Sequence, residues 1–412
     1  MLDHTIRLYK DAYSGLSKES WYLSLVMFVN RSGTMVLPFM TIYFTQQLKF
    51  SIVQAGIVMA LYGAGSIVGA FIGGKITDRY GFYYLQVGAL ISGGIMFISL
   101  SFLETFISLS IGTFILSMCN ESFRPANSTA IAHYSTEKVR TRSYSLNRLA
   151  INLGWSFGGA LGGLLASVNY NLLFYVDGCS NILAAMLLLK LLKPVQKQKI
   201  SASLNKIPIP VSAYKDKKYL FFILLTILFA SCFFQLFTMQ PVFFKTEWHF
   251  NEQFIGLLMA LNGILIVLME MVLIHKLEGR RPSLIFVTAG VFLAGIGFSL
   301  FNIFPAAAWV AILSVCVITL AEMLSMPFMN TFWISRTNEQ NRGEYAALYT
   351  IAWSFAQVLA PIYGAVLIQK GGYSLLWWVL CGVCIFTSFG YYALHKLDFL
   401  REWKLRLSAA RP

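Results

Sequence analysis

The feature that most limits this chain is a recurrence: apolar runs about twenty residues long, separated by short polar connections. A hydrocarbon layer about 30 Å thick is crossed by about 20 helical residues. Within it every backbone N–H and C=O must be paired inside the segment, so each run is expected to be a helix. Measured with that ruler, the sequence gives twelve spans, at about 21–45, 54–74, 83–103, 108–133, 147–168, 172–192, 219–243, 253–275, 283–302, 307–334, 344–369 and 375–395. Only 12% of the residues are charged, about half the roughly 25% with which a soluble domain wets its surface. The expected class is an all-α membrane protein. One long polar connection, 193–218, separates residues 1–192 from 219–412, so the twelve helices divide into two bundles of six. Acids and bases mix over the first twenty residues, unlike a cleavable signal, so span one is expected to be retained.

Basic residues set the orientation. The two termini and the loops on their side hold 25 of the 32 Lys and Arg, seven of them in the connection 193–218. The opposite loops hold three, Lys49, Lys245 and Lys370, and four more, Arg31, Arg124, Arg148 and Lys190, lie within spans. Basic loops stay in the cytoplasm, so both ends are expected there. The net charge of +14 is spread over all these segments rather than gathered on one face, which argues against a nucleic-acid partner.

The halves echo one another. Glu121, Pro125, Arg140 and Trp155-Ser156-Phe157 are followed by Glu322, Pro327, Arg342 and Trp353-Ser354-Phe355, at offsets of 201, 202, 202 and 198 residues. Parallel six-helix repeats are a device of secondary transporters.

Two motifs sharpen this. Gly74-Lys75-Ile76-Thr77-Asp78-Arg79-Tyr80-Gly81, between spans two and three, resembles the signature loop of the major facilitator superfamily, and Gly74, Asp78, Arg79 and Gly81 match its pattern. Phe82 and Tyr83 stand where that pattern has two basic residues. Span five carries Gly154, Gly158, Gly159, Gly162 and Gly163, resembling the glycine-rich fifth helix of the superfamily's drug/proton antiporters, with Gly159 in place of a proline. An arginine usual in helix four of such antiporters is missing near Thr113. The resemblance implies two pseudo-symmetric bundles, with spans one, four, seven and ten lining a central cavity. It also implies that Asp78 faces the start of span eleven near Glu344, and that Arg79 seeks an acid such as Glu137.

An ionisable side chain at a helix centre in lipid costs about 2.5–3.5 kcal/mol and is a functional candidate by default. Here these are Arg31, Glu121, Arg124, Arg148, Asp177, Glu270 and Glu322. Given the implied cavity, Arg31, Glu121, Arg124 and Glu322 are expected to converge. Glu121 and Arg124 share a helix face at i,i+3; Glu322 has no cation along its own helix and is the expected proton carrier, with Glu121 as accessory. Glu270 is expected to snorkel or to bind Arg148, and Asp177 to be solvated or to start a helix. Polar and aromatic residues suited to an amphipathic ligand are Asn30, Tyr43, Asn120, Asn127, Phe234, Gln235, Gln240, Asn330 and Trp333.

The histidines and the six cysteines show no metal-ligand spacing, and no nucleotide-binding loop occurs. No enzyme activity and no cofactor beyond the coupling proton are expected. The reading is a proton-coupled transporter working by alternating access, expected to act as a monomer in a bacterial cytoplasmic membrane. Export of drug-like amphipathic compounds is the first expectation. Uptake of a zwitterion or organic anion, such as a small peptide, and a non-transporting receptor are the alternatives.

Overall fold

Apolar segments of this length leave the backbone one way to pair its polar groups, and the computed structural model is helical along every span. It describes residue 7 and residues 10–50, 52–194 and 212–409. Of the expected linker 193–218, residues 195–211 lie outside the described residues.

Nine helices among the described residues are long and apolar enough to cross a membrane. They include Ile52–Tyr80 as span two, Phe82–Leu100 as three, Phe106–Tyr134 as four and Asn171–Leu191 as six. Glu252–Leu277, Ser283–Ile303 and Ala308–Ser335 are spans eight, nine and ten. The last, Arg342–Ala409, leaves helical geometry at Gly371 and Gly372 and so supplies spans eleven and twelve. Span five is Arg140–Val168. Span one is interrupted, as Lys18–Ser32 and then Val36–Ile42. Span seven is stepped, as Lys217–Phe233, Gln235–Thr238 and Gln240–Thr246. The described residues thus hold helical segments at all twelve expected span positions. The segment expected as the loop after span two is helical through Tyr80, and the chain turns only at Gly81 (φ 90°), a conformation that suits glycine.

The chain forms two compact units. One comprises Gly15–Ala213 with Thr337–Phe355, and the other is built mainly of Tyr214–Arg336 and Ala356–Pro412.

In the first unit, small residues let helix backbones touch, which is how helices associate where lipid is as apolar as leucine. Gly65, Gly69 and Gly73 of span two lie against Phe114, Met118 and Ser122 of span four. A Cβ on Gly69 would stand 2.2 Å from the Met118 carbonyl oxygen. Gly94 and Gly178 make the same kind of contact between spans three and six, each facing the other's carbonyl. This stacking fixes span four, with its two charged residues.

In the second unit, Gly290 and Gly297 of span nine seat span ten. Near the end of span seven an aromatic cluster gathers Phe243, Phe244, Trp248, Phe301 and Trp377.

Gly69→Ala should lower stability by about 1–3 kcal/mol, the usual cost of overpacking. Gly56→Ala, where an added Cβ meets nothing within 4 Å, should be neutral or stabilising. Thermal unfolding of the two variants in one detergent compares them; equal midpoints would show that the close contact is not needed.

Candidate functional site

Span one breaks at Gly33-Thr34-Met35. Pro38 offers no N–H to the carbonyl of Thr34, so a continuous ladder is impossible there. In lipid the groups released by such a break must find other partners. They find Asp177 of span six. Its carboxylate accepts from the N–H of Met35 (3.0 Å to each oxygen) and of Val36 (2.8 Å). Asp177 is fully buried, not solvated at a helix start as expected. Its pull is toward the start of Val36–Ile42, where the helix dipole favours an anion.

Span five closes the other side of the break. A Cβ on Gly154 would lie 2.6 Å from the Cβ of Arg31, and Gly158 and Gly162 face the Ser32 carbonyl and the Met35 side chain. The glycine stripe therefore seats the break in span one. The side-chain surroundings of Gly159 and Gly163 lie outside the described residues.

Beside the break is a small pocket, lined by Asn30, Arg31, Tyr62, Asn120, Glu121 and Asn181 together with apolar side chains. Asn30 donates to the Asn181 carbonyl at 2.9 Å, and Asn181 in turn donates to the Asp177 backbone at 2.8 Å. This polar chain links the pocket to the capped break. Arg124 donates to Glu121 at 3.1 Å. Arg31 lies in the field of both. Arg31 and Glu121 line the pocket itself, and Arg124 reaches Glu121 from beside it.

Of the residues expected along a cavity, several are engaged in packing instead. Asn127 accepts from Gln86 and donates to Asn147, tying spans three, four and five together. Tyr43 sits in an apolar core with Phe44 and Phe174. Gln235 is buried and donates to the Ala360 carbonyl at 2.7 Å, bridging the step in span seven to span eleven. Asn330 and Trp333 bond to each other at 3.1 Å. Glu270 is buried rather than snorkelling. In each case the polar group has its partner, or its cover, within the helix packing.

Glu322 lies in the second unit, buried in span ten. It accepts from Asn262 of span eight at 3.0 Å, and Asn262 also donates to Thr319 at 2.9 Å. Tyr62, Asn181 and Asn262 escaped the sequence reading. Each is a lone polar group within an apolar run, which is the signal that could have found them.

The sequence model of the Major Facilitator Superfamily matches residues 23–361. The chain belongs to the major facilitator superfamily. It is 26% identical over 369 residues to a Na(+), Li(+), K(+)/H(+) antiporter of Planococcus maritimus, covering 81% of this chain and 86% of the relative. The class H tetracycline resistance protein of Pasteurella multocida is 22% identical over 331 residues, covering 78% and 80%. The fold is similar to that of the fucose:proton symporter of E. coli, with a TM-score of 0.72 at 12% identity, over 91% of this chain and 98% of the symporter. The protein is thus a multi-pass membrane transporter of small molecules, not an enzyme.

The superfamily's signature loop has definite partners here. Asp78 accepts from the N–H groups of Gly343 and Glu344, both at 2.7 Å, capping the start of span eleven. Gly74 allows the approach, since a Cβ there would stand 2.3 Å from Ala347. Arg79 is exposed and lies over the ring of Tyr80 at 5.2 Å; it makes no ion pair with Glu137. The replaced basic positions have become packing residues. Phe82 meets His133 and Tyr134, and the Tyr83 hydroxyl donates to the Leu192 carbonyl at 3.2 Å.

Asp177→Ala should orphan the N–H groups of Met35 and Val36 and cost about 2–6 kcal/mol, from about 1–3 per buried group. Asp177→Asn keeps one acceptor oxygen and should cost less. Thermal unfolding in detergent gives the order, and an alanine variant as stable as the parent would show that the carboxylate does not hold the break.

Proposed function

We propose that this transporter is proton-coupled, works by alternating access, and exports amphipathic organic compounds in exchange for protons. It acts as a monomer in a bacterial cytoplasmic membrane, with both termini cytoplasmic and no cofactor beyond the coupling proton.

The observation that carries the coupling half of this reading is the surroundings of Glu322. A carboxylate buried in a span is costly, and its partner from span eight is the neutral amide of Asn262. An amide N–H serves a carboxylate and the carbonyl oxygen of a carboxylic acid alike. The site therefore keeps its hydrogen bond whether or not a proton is bound. Glu121 differs, because its carboxylate is already engaged by Arg124 at 3.1 Å. Glu322 is accordingly the proton carrier and Glu121 the accessory acid.

The cargo half rests on the mixed pocket of the first unit, where apolar walls bind and a few polar groups orient. The names of the Planococcus and Pasteurella relatives, a cation/proton antiporter and a tetracycline resistance protein, support proton antiport and export of organic compounds. Exchange of a bare alkali cation suits this pocket less well, because Arg31 lines it and its one acid, Glu121, is already paired with Arg124.

Purified protein in liposomes, given an imposed pH gradient, should move amphipathic dyes against a counterflow of protons read by a trapped pH indicator. Glu322→Gln should cut gradient-driven flux at least about tenfold, equivalent to about 1.4 kcal/mol, while dye exchange without a gradient persists. Unchanged gradient-driven flux in that variant removes Glu322 from coupling. Dye moving in the same direction as protons decides for uptake.

A further inference from the structure

Arg31 is the unsatisfied charge that lines the pocket of the first unit. Its Nε is buried without a hydrogen-bond partner, and no hydrogen bond or ion pair of its guanidinium occurs among the described residues. Glu121, the one acid on the pocket wall, is already held by Arg124. Burying an unpaired guanidinium costs free energy that packing alone does not return. A structural arginine would be expected to have an acid or several carbonyls around it.

Its placement is also enforced. Arg31 is the penultimate residue of Lys18–Ser32, just before the break held by Asp177. Gly154 packs directly on its Cβ. A side chain so constrained at its root, yet unpartnered at its tip, is preorganised for something that arrives. The planar guanidinium presents parallel N–H donors that match the two oxygens of a carboxylate. Asn120, on the same wall, is likewise without a hydrogen-bond partner among the described residues and offers a further donor.

We infer that Arg31 is the recognition residue for a carboxylate on the transported compound, so that the cargo is an amphipathic acid or zwitterion rather than a simple organic cation. This rests on the transport reading above and names the substrate class of that pocket. The acid sits against Arg31, its apolar part lies along the apolar wall, and Glu121 opposes any second negative charge.

The test is binding to the purified full chain in detergent, without a proton gradient. The probes are 1-naphthoate, 4-phenylbutyrate and phenylalanine, each against its own methyl ester, by calorimetry. At least one acid should bind about tenfold to a hundredfold more tightly than its ester, the range of a charge-assisted pair. Arg31→Gln should reduce that preference to within about twofold, and Arg31→Lys, a point charge without the planar fork, should restore it only in part. Glu121→Gln gives the opposite sign and leaves span one untouched: acid affinity should rise. Esters binding as tightly as acids overturn the inference, as does no acid binding at all. So does a preference that survives in Arg31→Gln, or acid affinity that falls or stays level in Glu121→Gln. Proton-driven flux is measured separately. Loss of acid preference with coupling intact defeats this inference alone, and absent coupling with acid preference intact defeats only the antiport reading.

Discussion

Hydrocarbon offers the backbone no partner, and that single constraint organises the first unit. Span one interrupts its own hydrogen-bond ladder at residues 33–35, which is tolerable only because Asp177 accepts the released N–H groups of Met35 and Val36. The carboxylate is itself acceptable in the membrane because those groups satisfy it. Each is the other's reason for being there. Spans one and six are thereby locked at one depth, span five's glycines close on the same turn, and Arg31 and Asn30 are delivered to the pocket edge.

The second unit meets the same problem with different chemistry. Span seven steps at Phe234 and again at Met239, with Pro241 following much as Pro38 follows Met35. Here the neutral amide of Gln235 bridges to the Ala360 carbonyl and accepts from Thr238. One repeat thus places a carboxyl group at its break and the other an amide. The buried charges of the two units differ in the same sense. The first unit gathers two arginines and an acid, whereas Glu322 of the second is held by Asn262. On the proposed reading, cargo recognition and proton uptake fall to different repeats, which the near-equal spacing of Glu121 and Glu322 would not suggest.

That contrast marks what was legible beforehand. Twelve apolar runs, the repeat and the signature loop gave the architecture, because lipid leaves so little choice of backbone structure. Side-chain direction was harder to read. A helix turns by about 100° per residue, so a polar residue in an apolar run announces that it must be satisfied but not by what. Asn127 and Gln235 looked like cavity residues and are satisfied by neighbouring helices. Asp177 looked peripheral and holds a break that no hydropathy pattern displays. Asn262 and Asn181 lie on spans eight and six, outside the helices expected to line a cavity, yet each partners a charged residue or its backbone.

The signature loop follows the same logic at the membrane surface. Asp78 caps span eleven through the N–H groups of Gly343 and Glu344, and the Glu344 side chain accepts from the Ser212 hydroxyl and the Ala213 N–H. The end of the central connection is therefore fastened to the very residue that Asp78 holds. Two residues further along the sequence, Tyr214 opens the other unit, in which Asp216 caps span seven and takes a bidentate bond from Arg336. An aspartate at 78 is thus linked, through one glutamate and a few residues of backbone, to the start of the second repeat. With Phe82 and Tyr83 engaged in packing, backbone capping by Asp78 anchors the signature loop, and salt screens that far less than exposed charge pairs.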